Sequence, residues 1–323
     1  MLQKMVKIVV LDPGYRSYEY EKKLFISKGY EFQIYNGNPD DKAAKINIVR
    51  DADGILVRST WIDRSFLDEM KNLKAIVRYG VGYDNIDLDE ATRRGIRVAN
   101  VQGYANHAVS DHALALLYSC IRALPSGKQK IRELFGNPPV PDLFELHDKT
   151  LGIIGLGRIG SHFSKKANGL FNTILATDPY ITDEAFIRCR AVKTDLDHLL
   201  SESHVISIHC NLTDETHHLL DRSAFDRMNN KPVIINTARG PIIDEEALYQ
   251  ALTKGKIHSA GLDVWEDEPV SLRQKKILDH PLVVATGHYA WYSDRSSTEL
   301  QQRAAMNLVR LLNGESFSDC LNC

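Results

Sequence analysis

Leu151-Gly152-Ile153-Ile154-Gly155-Leu156-Gly157-Arg158-Ile159-Gly160 decides how the chain is read. Its first four residues make a short apolar run of the kind a buried strand uses, and Gly155, Gly157 and Gly160 then fill a G-x-G-x-x-G pattern at the strand's end. The glycines permit a tight turn. A helix opening with Arg158 and Ile159 would turn its free N–H groups toward a pyrophosphate. Asp178 follows a second strand-like run, Thr173-Ile174-Leu175-Ala176-Thr177, where a carboxylate accepts hydrogen bonds from a ribose hydroxyl. Strand before, helix after and acid at this distance separate the motif from an ordinary glycine-rich turn and predict a dinucleotide site. Asp178 would repel a 2′-phosphate, and Pro179 and Tyr180 supply no arginine to receive one, so the expected cofactor is NAD and not NADP.

The bulk numbers bound the rest. A chain of 323 residues suggests two domains, and 43% hydrophobic with 25% charged residues is the balance of an ordinary soluble globular protein. A formal net charge of −2 gives no electrostatic case for nucleic acid. No apolar run approaches the length of a membrane span, and the charged start is too short for a secretion signal, so the cytoplasm is the expected compartment. Five cysteines do not make a disulfide framework, and Cys320-Leu321-Asn322-Cys323 is expected to carry two free thiols and no zinc. His204, His209, His217 and His218 are taken as structural, with no metal expected. The last two, being adjacent, cannot face the same way on a regular element.

Taken in order, the pattern predicts strands at 7–11, 31–35, 54–57, 73–77 and 97–99, with helices at 18–29, 63–71 and 87–94. This alternation means a small parallel-sheet domain whose loops after the strands include Arg58-Ser59-Thr60 and Arg78-Tyr79-Gly80-Val81-Gly82. A long helix is expected at 105–124, interrupted by Pro125, Ser126 and Gly127, and a turn-rich connection at 136–141. From Leu151 the alternation restarts, with strands at 151–155, 173–177, 191–193, 204–209, 232–236, 258–262 and 282–285. An amphipathic helix at 296–312, stopped by Asn313-Gly314, has no strand after it and is expected to pack back on the first domain. The expected fold is α/β with two doubly wound parallel-sheet domains: a Rossmann domain at 102–289 and a smaller, discontinuous flavodoxin-like domain at 1–101 and 290–323.

Three loops at the carboxyl edge of the larger sheet carry candidate chemistry. Asn236-Thr237-Ala238-Arg239-Gly240 ends one strand with an arginine, residues 263–269 end the next with carboxylates, and Thr286-Gly287-His288 ends the last with a histidine. Together with Gly155 to Gly160 and Asp178, with Leu262-Asp263-Val264 and Glu268-Pro269, these residues resemble the D-isomer-specific 2-hydroxyacid dehydrogenases. The likeness runs through RYGVGYDNID at 78–87 and covers nearly the whole chain. It implies hydride transfer between nicotinamide C4 and C2 of a 2-oxo or 2-hydroxy acid, with His288 as acid/base, Glu268 as its partner and Arg239 as the substrate clamp. Thr237, Ala238, Arg239, Asp263 and His288 would also border the cofactor, Asp263 orienting the nicotinamide amide.

These roles agree with the chemistry. An alkoxide left by hydride addition needs a proton, which a histidine can give and recover, and Arg239 offers a rigid donor fork to a carboxylate. The N–H groups of Val81 and Gly82 are expected to grip the same carboxylate. The substrate's far end is drawn two ways. Arg58 and Ser59 resemble the D-3-phosphoglycerate dehydrogenase branch and suit a phosphorylated substrate, whereas Trp291 suggests an apolar side chain. Ala290-Trp291-Tyr292-Ser293 and the ending at 319–322 resemble the C-terminal-binding-protein branch, which implies an alternative function as an NADH-responsive corepressor. Two departures from the family stand out, Gly287 where proline precedes the histidine and Asp111 where glutamate is common. The resemblance also implies a homodimer, with the helix from Ala105 and the segment 124–144 crossing to the partner.

Overall fold

The computed structural model describes residues 5–125 and 143–323. The expected turn-rich connection and most of the crossing segment lie outside the described residues. The chain divides into two compact units, one made of Met1–Tyr104 and Ser293–Cys323, the other of Ala105–Tyr292.

The smaller unit alternates β1 (Lys7–Val10), α1 (Glu19–Ser27), β2 (Glu31–Ile34), α2 (Lys42–Val49), β3 (Gly54–Val57), α3 (Arg64–Asp68), β4 (Ala75–Arg78), α4 (Leu88–Arg93) and β5 (Arg97–Ala99). Its strands pair in the order β2-β1-β3-β4-β5, all parallel, which is the flavodoxin-like winding. Aspartates start three of its helices: Asp41, Asp63 and Asp87 accept from the backbone N–H groups of Ala44, Phe66 and Glu90, satisfying donors that a helix start leaves open.

The larger unit opens with α5 (Asn106–Ile121) and runs through β6 (Thr150–Ile154), α6 (Arg158–Ala167), β7 (Thr173–Thr177), α7 (Asp183–Arg188), β8 (Val192–Lys193), α8 (Leu196–Glu202), β9 (Val205–Ile208), α9 (Arg222–Asp226), β10 (Val233–Asn236), α10 (Glu245–Thr253), β11 (Ser259–Leu262), α11 (Lys275–Leu278) and β12 (Val283–Ala285). The parallel order is β12-β11-β10-β9-β6-β7-β8, so the winding reverses between β6 and β9 and opens a crevice beside the glycine loop. Neighbouring strand residues serve opposite cores. Ile154, Ile206 and Ile234 join one apolar cluster with Leu248 and Trp265, while Ile153, Val205 and Ile235 join another with Leu117 and Phe163. Both faces are therefore covered, and the strands read as continuous apolar runs.

Each of the twelve strands expected from the pattern is present, with ends shifted by no more than two residues. The last helix, α12 (Asp294–Leu312), belongs to the smaller unit and packs on α1, β3, β4 and β5 through buried Leu300, Ala304, Leu308 and Leu311. Ser293 and Ser296 cap its start reciprocally, and Asn313 and Gly314 end it, the glycine at φ +77°.

One expectation is corrected. Cys320 and Cys323 are joined in a disulfide and are not two free thiols. The residues between them are bonded to the open side of β5: Leu321 donates to the Val98 carbonyl, while the Asn322 side chain accepts from Val98 N–H and donates to the Ile96 carbonyl. The rings of His217 and His218 are stacked with centroids 4.1 Å apart. They lie outside any regular element, and His218 adopts φ +52°, so side-chain alternation does not apply.

Candidate active site

The glycine loop is built by close approach. Gly155 sits at φ +88°, and a Cβ there would meet the Cys210 nitrogen at 2.5 Å; a Cβ on Gly160 would meet the Gly155 carbonyl oxygen at 2.1 Å. A Cβ on Gly157, by contrast, would point into open space. α6 starts at the exposed Arg158, with Gly157 as a cap that has no side chain, so its first turn presents backbone donors. Asp178 is half-buried and faces this loop: Oδ2 accepts from Leu156 N–H and Oδ1 from Tyr180 N–H, both at 2.9 Å. His209 lies behind the loop against Phe163, and desolvation pushes its pKa down to about 3, in keeping with a neutral structural ring bonded to Ser207.

After β10, Asn236 shapes the next turn, accepting from Ala238 N–H at 3.0 Å and donating to the Arg239 carbonyl at 2.9 Å. The Thr237 hydroxyl oxygen between them is buried without a hydrogen-bond partner. The glycine cradle, the uncapped helix start and this unspent hydroxyl fit a dinucleotide laid along the carboxyl edge of the sheet. Ile159, on the first turn of α6, is half-buried.

β10, β11 and β12 are neighbours, so Arg239, the 263–268 loop and His288 leave the sheet at one edge. Nδ1 of His288 and Oε2 of Glu268 are 2.5 Å apart. Glu268 is steadied by its other oxygen, which accepts from Trp265 N–H at 3.1 Å. The nearby carboxylates face elsewhere. Glu266 pairs with His218 at 2.9 Å and Arg273 at 2.7 Å, and Asp267 accepts from the Ser271 hydroxyl. Glu245, whose carboxyl burial pushes upward, accepts from Glu266 N–H. Among the described residues no group of three or more histidines, cysteines or acids gathers as a metal site.

Asp263 is 1% exposed, and its carboxylate is a hub: Oδ1 accepts from the Thr286 hydroxyl at 2.6 Å and Tyr289 N–H at 3.1 Å, Oδ2 from Ala290 N–H at 2.9 Å. Its own carbonyl accepts from His288 N–H, 2.6 Å away. His288 has φ +53°, a left-handed conformation that a side chain adopts only where its surroundings impose it. His112 on α5, which the sequence reading passed over, reaches the same loop with Nε2 3.0 Å from the Thr286 hydroxyl. Nothing in the local pattern singled it out, since Ser110 and Asp111 precede it on the same helix. Its neighbour Asp111 points to α6 and pairs with Lys166 at 2.6 Å. Trp291 is half-buried and donates from Nε1 to the His288 carbonyl.

In the smaller unit, the loop after β3 carries half-buried Arg58 and exposed Ser59. A second residue the sequence reading missed, Asp12, organises it. One Asp12 oxygen accepts from the backbone N–H groups of Arg58, Ser59 and Thr60, each at 2.9 Å, and the other from Lys45 Nζ at 3.0 Å and the Thr60 hydroxyl. Burial opposes the charge, but these donors outweigh it and hold the carboxyl at about 2. After β4, Val81 and Gly82 are half-buried, and the Val81 carbonyl accepts from the Asn100 side chain at 2.6 Å.

The sequence profile of the D-isomer specific 2-hydroxyacid dehydrogenase NAD binding domain matches residues 114–290. The chain is 34% identical over 319 residues to a D-3-phosphoglycerate dehydrogenase of Archaeoglobus fulgidus, covering 98% of this chain but 59% of that protein's length. It is 34% identical to glyoxylate/hydroxypyruvate reductase B of an Enterobacter species over 90% of each chain. Its fold superposes with a TM-score of 0.87 on the D-lactate dehydrogenase of Aquifex aeolicus solved with NAD and lactic acid, at 29% identity and 96% coverage of both chains. With this likeness along the whole chain and a glycine cradle, an unspent hydroxyl and a histidine–carboxylate couple on one sheet edge, the chain belongs to the D-isomer-specific 2-hydroxyacid dehydrogenases, NAD-dependent oxidoreductases.

Proposed function

We propose that the protein interconverts small 2-oxo acids and D-2-hydroxy acids, with His288 as proton donor and acceptor, Glu268 as its partner and Arg239 as the group that binds the substrate carboxylate. The observation that carries this reading is the 2.5 Å contact of His288 with Glu268 on the edge where Arg239 also emerges. Bound NAD supplies a hydride acceptor or donor at its nicotinamide. The chain's own residues do the rest. In reduction, His288 gives a proton from Nε2 to the substrate's C2 oxygen while Nδ1–H donates to Glu268, which supports the positive ring. Arg239 holds the carboxylate and draws charge toward the adjacent carbonyl oxygen. In oxidation, His288 takes the hydroxyl proton back.

Gly155, Gly157, Arg158, Ile159 and Gly160 are assigned to the pyrophosphate, Asp178 to the ribose, and Thr237, Ala238 and Asp263 to the nicotinamide half of the cofactor. Arg58, Ser59, Val81, Gly82 and Trp291 are the candidates for further substrate contacts. The Trp291 indole is spent on the His288 carbonyl, which supports a place in the catalytic loop over a corepressor's docking surface. Among the described residues no helix is long and apolar enough to cross a membrane. A cytoplasmic homodimer is the working assembly, and sedimentation as a monomer of 36.5 kDa would refute the dimer. The function itself is tested by NADH oxidation with a panel of 2-oxo acids, short-chain, phosphorylated and aromatic. Turnover of one class and its loss in His288→Ala is expected; a protein that binds NADH and reduces none of the panel would overturn the reading.

A further inference from the structure

His112 touches the histidine loop from another element, and nothing in the reading above uses it. It is half-buried on α5, its Nε2 lies 3.0 Å from Thr286 Oγ1 and 3.5 Å from Asp263 Oδ1, and its ring meets that of Tyr289 edge-on at 5.2 Å. The hydrogens along this line can be counted. Thr286 has one hydroxyl hydrogen, and its shortest acceptor is Asp263 Oδ1 at 2.6 Å, the other being the Leu262 carbonyl at 3.5 Å. With that hydrogen spent on Asp263, the Thr286 oxygen is an acceptor toward His112, so Nε2 carries the proton. Nδ1 of His112 makes no hydrogen bond among the described residues.

We propose that His112 is a positioning residue: a ring protonated on Nε2, whose N–H fixes the Thr286 hydroxyl and through it the Asp263 carboxylate and residues 286–290. The loop needs such an anchor. His288 stands in it at φ +53°, and a left-handed non-glycine residue persists only where neighbouring bonds over-determine it. Asp263 supplies those bonds, accepting at Oδ1 and Oδ2 from Tyr289 and Ala290 and at its carbonyl from His288. Thr286 is the shortest donor to the carboxylate. If its hydroxyl turned toward the Leu262 carbonyl, Oδ1 would be left with the longer bond from Tyr289. The His112 N–H occupies one lone pair of the Thr286 oxygen, bars the hydroxyl hydrogen from that direction, and holds the oxygen 2.6 Å from Asp263 Oδ1, the shorter of its two acceptors. The catalytic part of this proposal rests on the reading of His288 as the proton donor; the anchoring part does not.

The test uses His112→Leu, which keeps bulk and removes the donor, His112→Gln, whose amide N–H replaces Nε2–H, and Thr286→Val as an isosteric control for the hydroxyl. Amide hydrogen exchange at Tyr289 and Ala290 in the folded protein with NADH bound is expected to quicken by about tenfold or more in His112→Leu and Thr286→Val and to stay near wild type in His112→Gln. For a 2-oxo acid that the wild type reduces, kcat should fall about tenfold or more in His112→Leu and recover in His112→Gln, with KM for the acid and Kd for NADH changed by less than about threefold. Nitrogen-15 shifts of the His112 ring should report a proton on Nε2. Unchanged exchange in both His112→Leu and Thr286→Val, a His112→Gln as impaired as His112→Leu, or a ring whose Nε2 carries no proton would each overturn the proposal. Exchange and ring shifts need no turnover, so a wild type that reduces no 2-oxo acid would defeat the proposed reaction while the anchoring is still decided. If His112→Leu does not fold, Thr286→Val carries the same comparison.

Discussion

Oε2 of Glu268 meets Nδ1 of His288 at 2.5 Å, and each side chain is about one-third exposed, so the couple is ordered yet open to a reacting molecule. Glu268→Gln keeps the size and an oxygen that can accept from Nδ1–H, but removes the charge that supports a positive ring. The kcat/KM of reduction should fall about 10- to 100-fold with NADH affinity retained. Glu266→Gln is the control, since Glu266 is engaged by His218 and Arg273. A larger loss in Glu266→Gln than in Glu268→Gln would reverse the assignment.

Asp178 is proposed to bind a ribose hydroxyl, and in the structure it already ties the glycine loop through Leu156 N–H. Asp178→Ala should therefore weaken binding of both NADH and NADPH, and the informative quantity is their ratio. Loss of a hydrogen bond to a charged acceptor, about 1–3 kcal/mol, corresponds to a drop of about 5- to 150-fold in preference for NADH. Titration of both cofactors against wild type and variant measures it. A wild type that binds the two equally would remove the role given to Asp178.

Asp12 gives a pH dependence with a definite sign. Its folded-state pKa, about 2, lies below its ordinary 3.8. The carboxylate's contribution is therefore complete above about pH 4 and is lost as pH falls through the folded value. A depression of this size corresponds to about 2 kcal/mol. Urea unfolding of wild type and Asp12→Asn at neutral pH and near pH 2.5 should show the gap between them narrowing at the lower pH. A gap independent of pH would mean that the charge on Asp12 is not what holds the 58–60 loop.

Gly240→Ala tests how the arginine turn is seated. An added Cβ would meet the Trp265 carbonyl carbon at 1.9 Å and its oxygen at 2.0 Å, both backbone atoms that cannot rotate away. The 265–268 loop would have to shift, and Glu268 with it. A loss of about 1–3 kcal/mol in stability is expected from such overpacking, with kcat falling more than the KM for NADH rises. Wild-type stability and rate in this variant would show that the two loops are not packed as described.

The strands were legible because both faces of each sheet are covered, leaving apolar runs such as Leu151 to Ile154 and Val233 to Ile235 unbroken by polar alternation. That Arg239, Glu268 and His288 leave one sheet edge was legible because each lies in the loop after a strand of that sheet. Asp12 and His112 were not. Asp12 meets partners 46, 47 and 48 residues away and His112 one 174 residues away, so only the assembled fold brings their hydrogen bonds into existence. The pairing of Cys320 with Cys323 was hidden for another reason: an odd cysteine count in a charged chain speaks for thiols, and the tail's attachment to β5 cannot be read from spacing.

The return of α12 to the first sheet has a consequence for how the protein is made. Translation delivers β1 to β5 first, yet the apolar cover that α12 lays over β3 and β4 is encoded after the whole of Ala105–Tyr292. The unit begun first is thus the one finished last. While the ribosome works through the later domain, the early strands carry an uncovered greasy face and β5 an unpaired edge, the kind of surface on which nascent chains clump. The internal domain, whose residues are contiguous, can close before release; the split one must wait for its final helix to emerge.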